Sequence, residues 1–222
     1  MTRRQAAVKR AFDLVVAGFA LVPGTPVMAV GWLVATLETR QNGLFRQARV
    51  GRHGETFDVW KLRTMKEVPG VDTVVTTSHD VRITRSGAVL RALKLDELPQ
   101  LVNVLRGEMS LVGPRPDVPG FADRLEGADR VVLSVRPGIT GPAALAYRHE
   151  EEILAKVSDP ERYNRDVIWP DKVRINRAYV EHYRFSDDLR CLVNTLRSVV
   201  DGRVPAHGKG PATETQPKGD RR

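Results

Sequence analysis

One cysteine, Cys191, stands in a chain of 222 residues. No intrachain disulfide can form, which excludes a small stapled secreted fold. The five histidines are scattered, none at metal-ligand spacing with the cysteine or a second histidine, and this argues against a zinc or iron–sulfur site. Charge is missing altogether from residues 14–37. An apolar run of about 24 residues would be roughly 36 Å long as a helix, enough for a bilayer core of about 30 Å. It carries no convincing small-residue cleavage pattern, and Asp13 at its mouth is foreign to a signal peptide. No recognised nucleic-acid motif is present either, although 35 Lys+Arg against 27 Asp+Glu leave a net charge of +8. That excess suits an anionic partner, whether nucleic acid, phospholipid or a phosphorylated small molecule, without choosing among them.

Within the apolar run stand Pro23, Gly24 and Pro26. Two prolines this close remove backbone donors and clash with the preceding turn, which predicts a sharp bend or break between halves too short to span. Arg3, Arg4, Lys9 and Arg10 precede the run, and Arg40, Arg46, Arg49 and Arg52 follow it. By the positive-inside tendency both ends prefer the cytoplasmic side. A re-entrant helix, broken at Thr25 and Pro26, satisfies both flanks, and the Thr25 hydroxyl could bond a freed carbonyl. A kinked span and a buried core helix are the alternatives.

Residues 44–50 and 56–64 flank a turn marked by Gly51 and Gly54 and read as a β-hairpin. Lys61 and Arg63, two apart, share a face of the second strand with Phe57 and Val59. Such a pair could hold a diphosphate, or could be an edge strand showing charge to water. Residues 66–84 read as a surface loop.

Two helical segments, 87–95 and 98–105, meet at a corner formed by Asp96 and Glu97. If Asp96 caps the second helix, with Pro99 in its first turn, its carboxylate faces unpaired N–H groups that keep it ionised and also draw phosphate. An ionised Asp can attack phosphorus. The neighbouring Glu is a suitable hard-oxygen ligand for Mg²⁺. An ordinary helix cap is the plain alternative. Pro114 and Pro116 fix the backbone around Arg115, and Arg136 opens the turn RPGITG at 136–141. Each is also ordinary turn chemistry, but with Lys61 and Arg63 they supply cations for a diphosphate.

Further on, residues 150–156, 172–183 and 187–200 read as helices, the last amphipathic, and from 205 the composition predicts a disordered tail. The fold class expected is α+β: a mainly helical cytoplasmic domain with a small β-hairpin, preceded by an N-terminal re-entrant membrane helix. Its divisions are a membrane segment at 1–40, a catalytic domain at 41–204 and a tail at 205–222.

Several motifs stand in a telling order: Lys9-Arg10, Phe12-Asp13, Thr25-Pro26, FRQARVG at 45–51, KLRTM at 61–65, LDELPQLVNVLRGEMSLVGPRP at 95–116 and RPGITG. In these the chain resembles the bacterial sugar transferases, the monotopic polyprenyl-phosphate phosphoglycosyl transferases, over nearly its whole length. The resemblance implies an enzyme of the bacterial inner membrane, its catalytic domain on the cytoplasmic face. It would move a sugar-1-phosphate from a UDP-sugar to undecaprenyl phosphate and release UMP, as the first membrane step of a cell-surface glycan or exopolysaccharide. Asp96 would be the nucleophile and Glu97 the Mg²⁺ ligand, with Arg115, Lys61, Arg63 and Arg136 on substrate phosphate. Thr25-Pro26 replaces the family's Ser-Pro break and keeps the hydroxyl. After RPGITG the chain departs from the Trp-Ala-Gln-like continuation of many members, which leaves the sugar open. The minimal catalytic form is expected, with no nucleic-acid partner and with room for a homodimer. A membrane-anchored basic adaptor without catalysis is the competing class.

Overall fold

The computed structural model describes residues 1–68 and 80–201. The remainder, which includes most of the expected 66–84 loop and the whole tail from 205, lies outside the described residues. The chain is mostly helical with two small sheets, and one long apolar helix leads it.

That helix, α1 (Arg3–Thr39), opens on a capping box in which Thr2 and Gln5 exchange side-chain and backbone bonds. Its backbone stays helical through Pro23 and Pro26, so the bend or break expected there leaves no non-helical residue between the two halves. By the i to i−4 rule the prolines free the carbonyls of Phe19 and Val22. Both residues lie on the exposed side, where the helix can open without losing contacts beneath it. The Thr25 hydroxyl donates to the Leu21 carbonyl at 2.7 Å, one residue short of the carbonyl that Pro26 frees. Beneath, Lys9, Asp13, Ala17, Gly24, Gly31 and Ala35 form a buried stripe at spacings of four and seven residues. This stripe holds the two halves in register against the domain. At Gly31 a Cβ would come within 2.6 Å of the Leu62 side chain, so the missing side chain sets how closely helix and hairpin approach.

The hairpin follows as predicted. Strand β1 (Leu44–Val50) pairs antiparallel with β2 (Thr56–Leu62), in the register Phe45↔Lys61, Gln47↔Val59 and Arg49↔Phe57. Next come α2 (Arg85–Ala92), a 3₁₀ turn at Leu95–Glu97, and α3 (Gln100–Arg106). Asn103, fully buried, ties α3 to the hairpin: its side chain accepts from Trp60 N–H and donates to the Asp58 carbonyl. Strand β3 (Ser110–Val112) pairs in parallel with β4 (Gly138–Thr140). The helices α4 (Pro142–Ala146), α5 (Glu150–Leu154), α6 (Pro160–Tyr163), α7 (Trp169–Glu181) and α8 (Phe185–Asp201) complete the domain. Its core gathers Val59, Leu101, Val104, Met109, Leu111 and Val180 around Ala17 of α1.

Fastenings join both ends of α1 to this one domain. Near its start, Lys9 pairs with buried Asp188 at 2.6 Å, and Asp188 also accepts from the Tyr179 and Tyr183 hydroxyls. One turn on, Asp13 accepts from Ser110 Oγ and from Leu111 N–H of β3. At the far end, Glu38 accepts from the Arg85 and Ser86 N–H groups at the start of α2. On the outer face of α1, Phe19 is 78% exposed, Val22 75% and Leu37 71%.

Candidate active site

The sequence LDELP folds into a tight corner because Lys94 takes the left-handed conformation, φ 55°, ending α2 and starting the 3₁₀ turn that carries Asp96 and Glu97. Helix α3 is then entered through Pro99, with no side-chain cap. Asp96 therefore does not cap α3, contrary to the expectation. The turn is too tight to set its carboxylate over the N–H groups of α3, and its Oδ1 is buried without a hydrogen-bond partner. Burial, and then the neighbouring Glu97, push its carboxyl above the ordinary 3.8, while Lys61, Lys94 and Arg91 oppose the rise. A carboxylate so placed binds a proton, or any other electrophile, more readily than one in water.

Glu97 is held differently. Burial favours its neutral form, but Arg115 and Lys61 outweigh burial and keep it well below the usual carboxylate range. Arg115 grips it with a two-pronged fork, Nη2 to Oε1 at 2.6 Å and Nη1 to Oε2 at 3.1 Å. Lys61 Nζ lies 3.8 Å from the same Oε1. Burial brings the Lys61 ammonium down to about 8. Two acids side by side are thus driven apart in character, one free and proton-hungry, the other locked as an anion.

Arg115 is aimed by the two glycine-bearing motifs. Gly113 N–H donates to the Thr140 carbonyl and Gly138 N–H to the Pro114 carbonyl, so GPRP and RPGITG cross backbone on backbone. A Cβ on Gly138 would stand 2.1 Å from Gly113 N, and one on Gly141 2.1 Å from the Gly113 carbonyl oxygen. Only glycine permits that approach. RPGITG serves the site through its backbone: the Ile139 carbonyl accepts from Arg115 Nη1 at 2.8 Å.

Asp96, Glu97, Lys61 and Arg115 are brought together. Arg63 and Arg136 sit elsewhere. Arg63 donates to the Asn42 carbonyl and lies 5.3 Å from the Phe45 ring centroid. Arg136 donates to the Gly107 carbonyl at the end of α3, and its charged neighbours are Arg10, Arg52 and Asp13. A cation that sequence reasoning passed over takes part instead. Arg49 shares the hairpin face of Lys61, and its charge interacts with Glu97, Arg115 and Asp117. Hairpin register could have found it, since Phe45, Gln47 and Arg49 alternate onto the face that Lys61 joins.

The donor set suits a hard cation. No group of three or more His, Cys, Asp or Glu side chains converges among the described residues. Mg²⁺ is usually held by one or two carboxylates with substrate phosphates and water, and Asp96 and Glu97, side by side in the 3₁₀ turn, offer that number.

Adjacent acids of opposed character thus stand among the cations Lys61, Arg115 and Arg49, in a chain whose first helix is long and apolar enough to cross a membrane by length and composition. The comparisons with known proteins narrow the class. The family model described as bacterial sugar transferase matches residues 4–202, and the chain belongs to that enzyme family. It is similar to a UDP-glucose:undecaprenyl-phosphate glucose-1-phosphate transferase of Caulobacter vibrioides, 41% identical over 205 residues, covering 86% of this chain and 69% of that protein. It is also similar to the uncharacterized sugar transferase EpsL of Bacillus subtilis, 33% identical with 87% of each chain covered. The exopolysaccharide production protein ExoY of Sinorhizobium fredii is 31% identical, with 86% of this chain and 84% of that protein covered.

Proposed function

We propose that this enzyme transfers a sugar-1-phosphate from a UDP-sugar to undecaprenyl phosphate through a covalent intermediate on Asp96. The observation that carries the reading is the unpartnered Asp96 Oδ1 next to an anion already clamped by Arg115 and Lys61. A carboxylate oxygen of Asp96 attacks the β-phosphorus of the donor, the bond from that phosphorus to the bridging oxygen breaks, and UMP leaves with the electron pair. An oxygen of undecaprenyl phosphate then attacks the same phosphorus and displaces Asp96. Lys61 and Arg115 receive the charge that develops on the phosphoryl oxygens, and Arg49 adds to the field. Mg²⁺, held by Glu97 with Asp96 and the donor phosphates, would supply further neutralisation when bound. The names of relatives such as the Caulobacter vibrioides enzyme support the donor and acceptor classes.

The lipid acceptor is best met by a monotopic chain with α1 re-entering on the cytoplasmic face of the inner membrane. The Lys9–Asp188 and Glu38–α2 fastenings bind both ends of α1 to one domain, which supports a common side for the two flanks. The 78% exposed Phe19 and its neighbours supply the surface that lipid would cover.

Asp96→Asn tests the mechanism. UMP release and the phosphosugar adduct on the protein should both vanish, with turnover down at least about 10³-fold. Full turnover in that variant would sink the covalent step, while a basic adaptor would show no UMP release even in the wild type.

A further inference from the structure

Asp117 lies two residues beyond Arg115 and takes no part in the chemistry above. Its backbone is fixed at the end of the hairpin: the Asp117 carbonyl accepts from Val50 N–H at 2.8 Å, and Arg49 Nη1 reaches the adjoining Pro116 carbonyl at 3.3 Å. Its carboxylate makes no side-chain hydrogen bond and no ion pair with any described residue. Lys172, Arg49 and Arg115 all bear on it electrostatically. Each of these cations is engaged closer at hand, Lys172 with Glu150 at 2.5 Å, Arg49 with Gln47 at 2.6 Å and Arg115 with Glu97. Asp117 is therefore surrounded by positive charge and bonded to none of it.

A third acid beside a phosphate site repels the diphosphate, so its use must lie with a neutral part of the donor. Ionised carboxylates accept hydrogen bonds and donate none. The neutral, donor-rich parts of a nucleotide sugar are its hydroxyls. Besides Arg49 and Arg115, the charged groups that bear on Asp117 are Glu150 of α5 and Lys172 of α7, which pair with each other; Lys172 in turn lies 5.7 Å from the Tyr147 ring at the end of α4.

We propose that Asp117 reads the sugar of the donor, accepting hydrogen bonds from its ring hydroxyls in a subsite edged by the Glu150–Lys172 pair. The assignment rests on the functional reading above. Hydroxyl recognition by a charged acceptor is strong enough to discriminate between epimers, because a bound sugar of the wrong epimer shields the half-buried acceptor from water and leaves it unpaired.

The test uses the full chain in nanodiscs with undecaprenyl phosphate and Mg²⁺. UMP release is followed with UDP-glucose, UDP-galactose and their N-acetylated forms, and UMP serves as a competitive inhibitor carrying the ribose without the sugar. Asp117→Asn should raise KM for the preferred donor about 10- to 100-fold, with the smaller effect on kcat. It should narrow the preference between the two epimers and leave inhibition by UMP unchanged. Asp117→Glu, which restores the charge, should recover part of the preference. An unchanged KM and preference in Asp117→Asn overturns the subsite, as does an equal weakening of UMP, which would assign the carboxylate to the ribose. Should the wild type release no UMP from any donor, the functional reading falls and the subsite with it. A wild type that turns over beside an indifferent Asp117→Asn removes the subsite alone.

Discussion

Asp117 also makes a prediction about stability that is independent of any substrate. Burial raises its carboxyl from the ordinary 3.8 to about 6, against the opposing pull of Lys172, Arg49 and Arg115. A carboxyl that titrates at 3.8 in the open chain and at about 6 in the folded one binds its proton more tightly when folded. Its contribution to stability is fully present below pH 3.8 and is lost as pH rises through about 6. Each pH unit of difference corresponds to about 1.4 kcal/mol, so the loss reaches about 3 kcal/mol. That is an upper bound, because the side chain is only partly shielded from water. Asp117→Asn removes the titration while keeping the shape. The variant should therefore gain on the wild type with rising pH: little difference near pH 4, and up to about 3 kcal/mol at pH 8, or about 6–12 °C in Tm for a chain of this size. Thermal unfolding of both proteins in the same detergent, at half-unit steps from pH 4 to 8, reads this directly. A gap that stays constant across the range would refute the reasoning, since a pH-independent difference cannot come from this carboxyl.

Other outcomes follow from the same geometry. Arg115→Lys keeps the charge but loses the fork to Glu97 and the bond to the Ile139 carbonyl; kcat/KM for the donor should fall about 30- to 100-fold, and a loss under threefold would show that the fork is dispensable. Asp188→Asn leaves the Lys9 ammonium buried without its counter-ion, which should cost about 3–5 kcal/mol by denaturant unfolding, much of it recovered by an apolar pair at both positions. For the membrane topology, single cysteines placed near Arg3 and Gln41 in a Cys191→Ser background should both label from the cytoplasmic side. Labelling from opposite faces would rule out re-entry.

The hairpin was legible because its side chains alternate cleanly between two turn-forming glycines, and its register then fixes Lys61. The pairing of Asp96 with Glu97 at a corner was legible too, but the corner's kind was not. A 3₁₀ turn and an α-helical start share the same composition, and the left-handed Lys94 that decides between them has no sequence signature. Arg63 and Arg136 looked equivalent to Lys61 and Arg115 as turn or strand cations. What separates them is Glu97, on which Lys61 and Arg115 close, whereas Arg63 donates to the Asn42 carbonyl and Arg136 to the Gly107 carbonyl. In RPGITG the sequence points to Arg136, whereas the close backbone approach to Gly113 belongs to Gly138 and Gly141. The prolines of α1 announced a break that the helical backbone does not show. Local rules count the hydrogen bonds two prolines remove, and cannot count the buried stripe that holds the helix on either side of them.

That stripe has a consequence for how the enzyme comes into being. α1 presents Asp13 to the N–H of Leu111 in β3, Ala17 to the core, and Glu38 to the first N–H groups of α2, the helix that leads into the corner at Asp96. A tether could be cut away or exchanged for another of equal length; this helix cannot, because it is one wall of the building it moors. Because α1 precedes all of these partners in the sequence, its buried side stays open during synthesis until they follow it out of the ribosome. The fastening at its start closes later still, since Lys9 pairs with Asp188 of α8, 179 residues further along the chain.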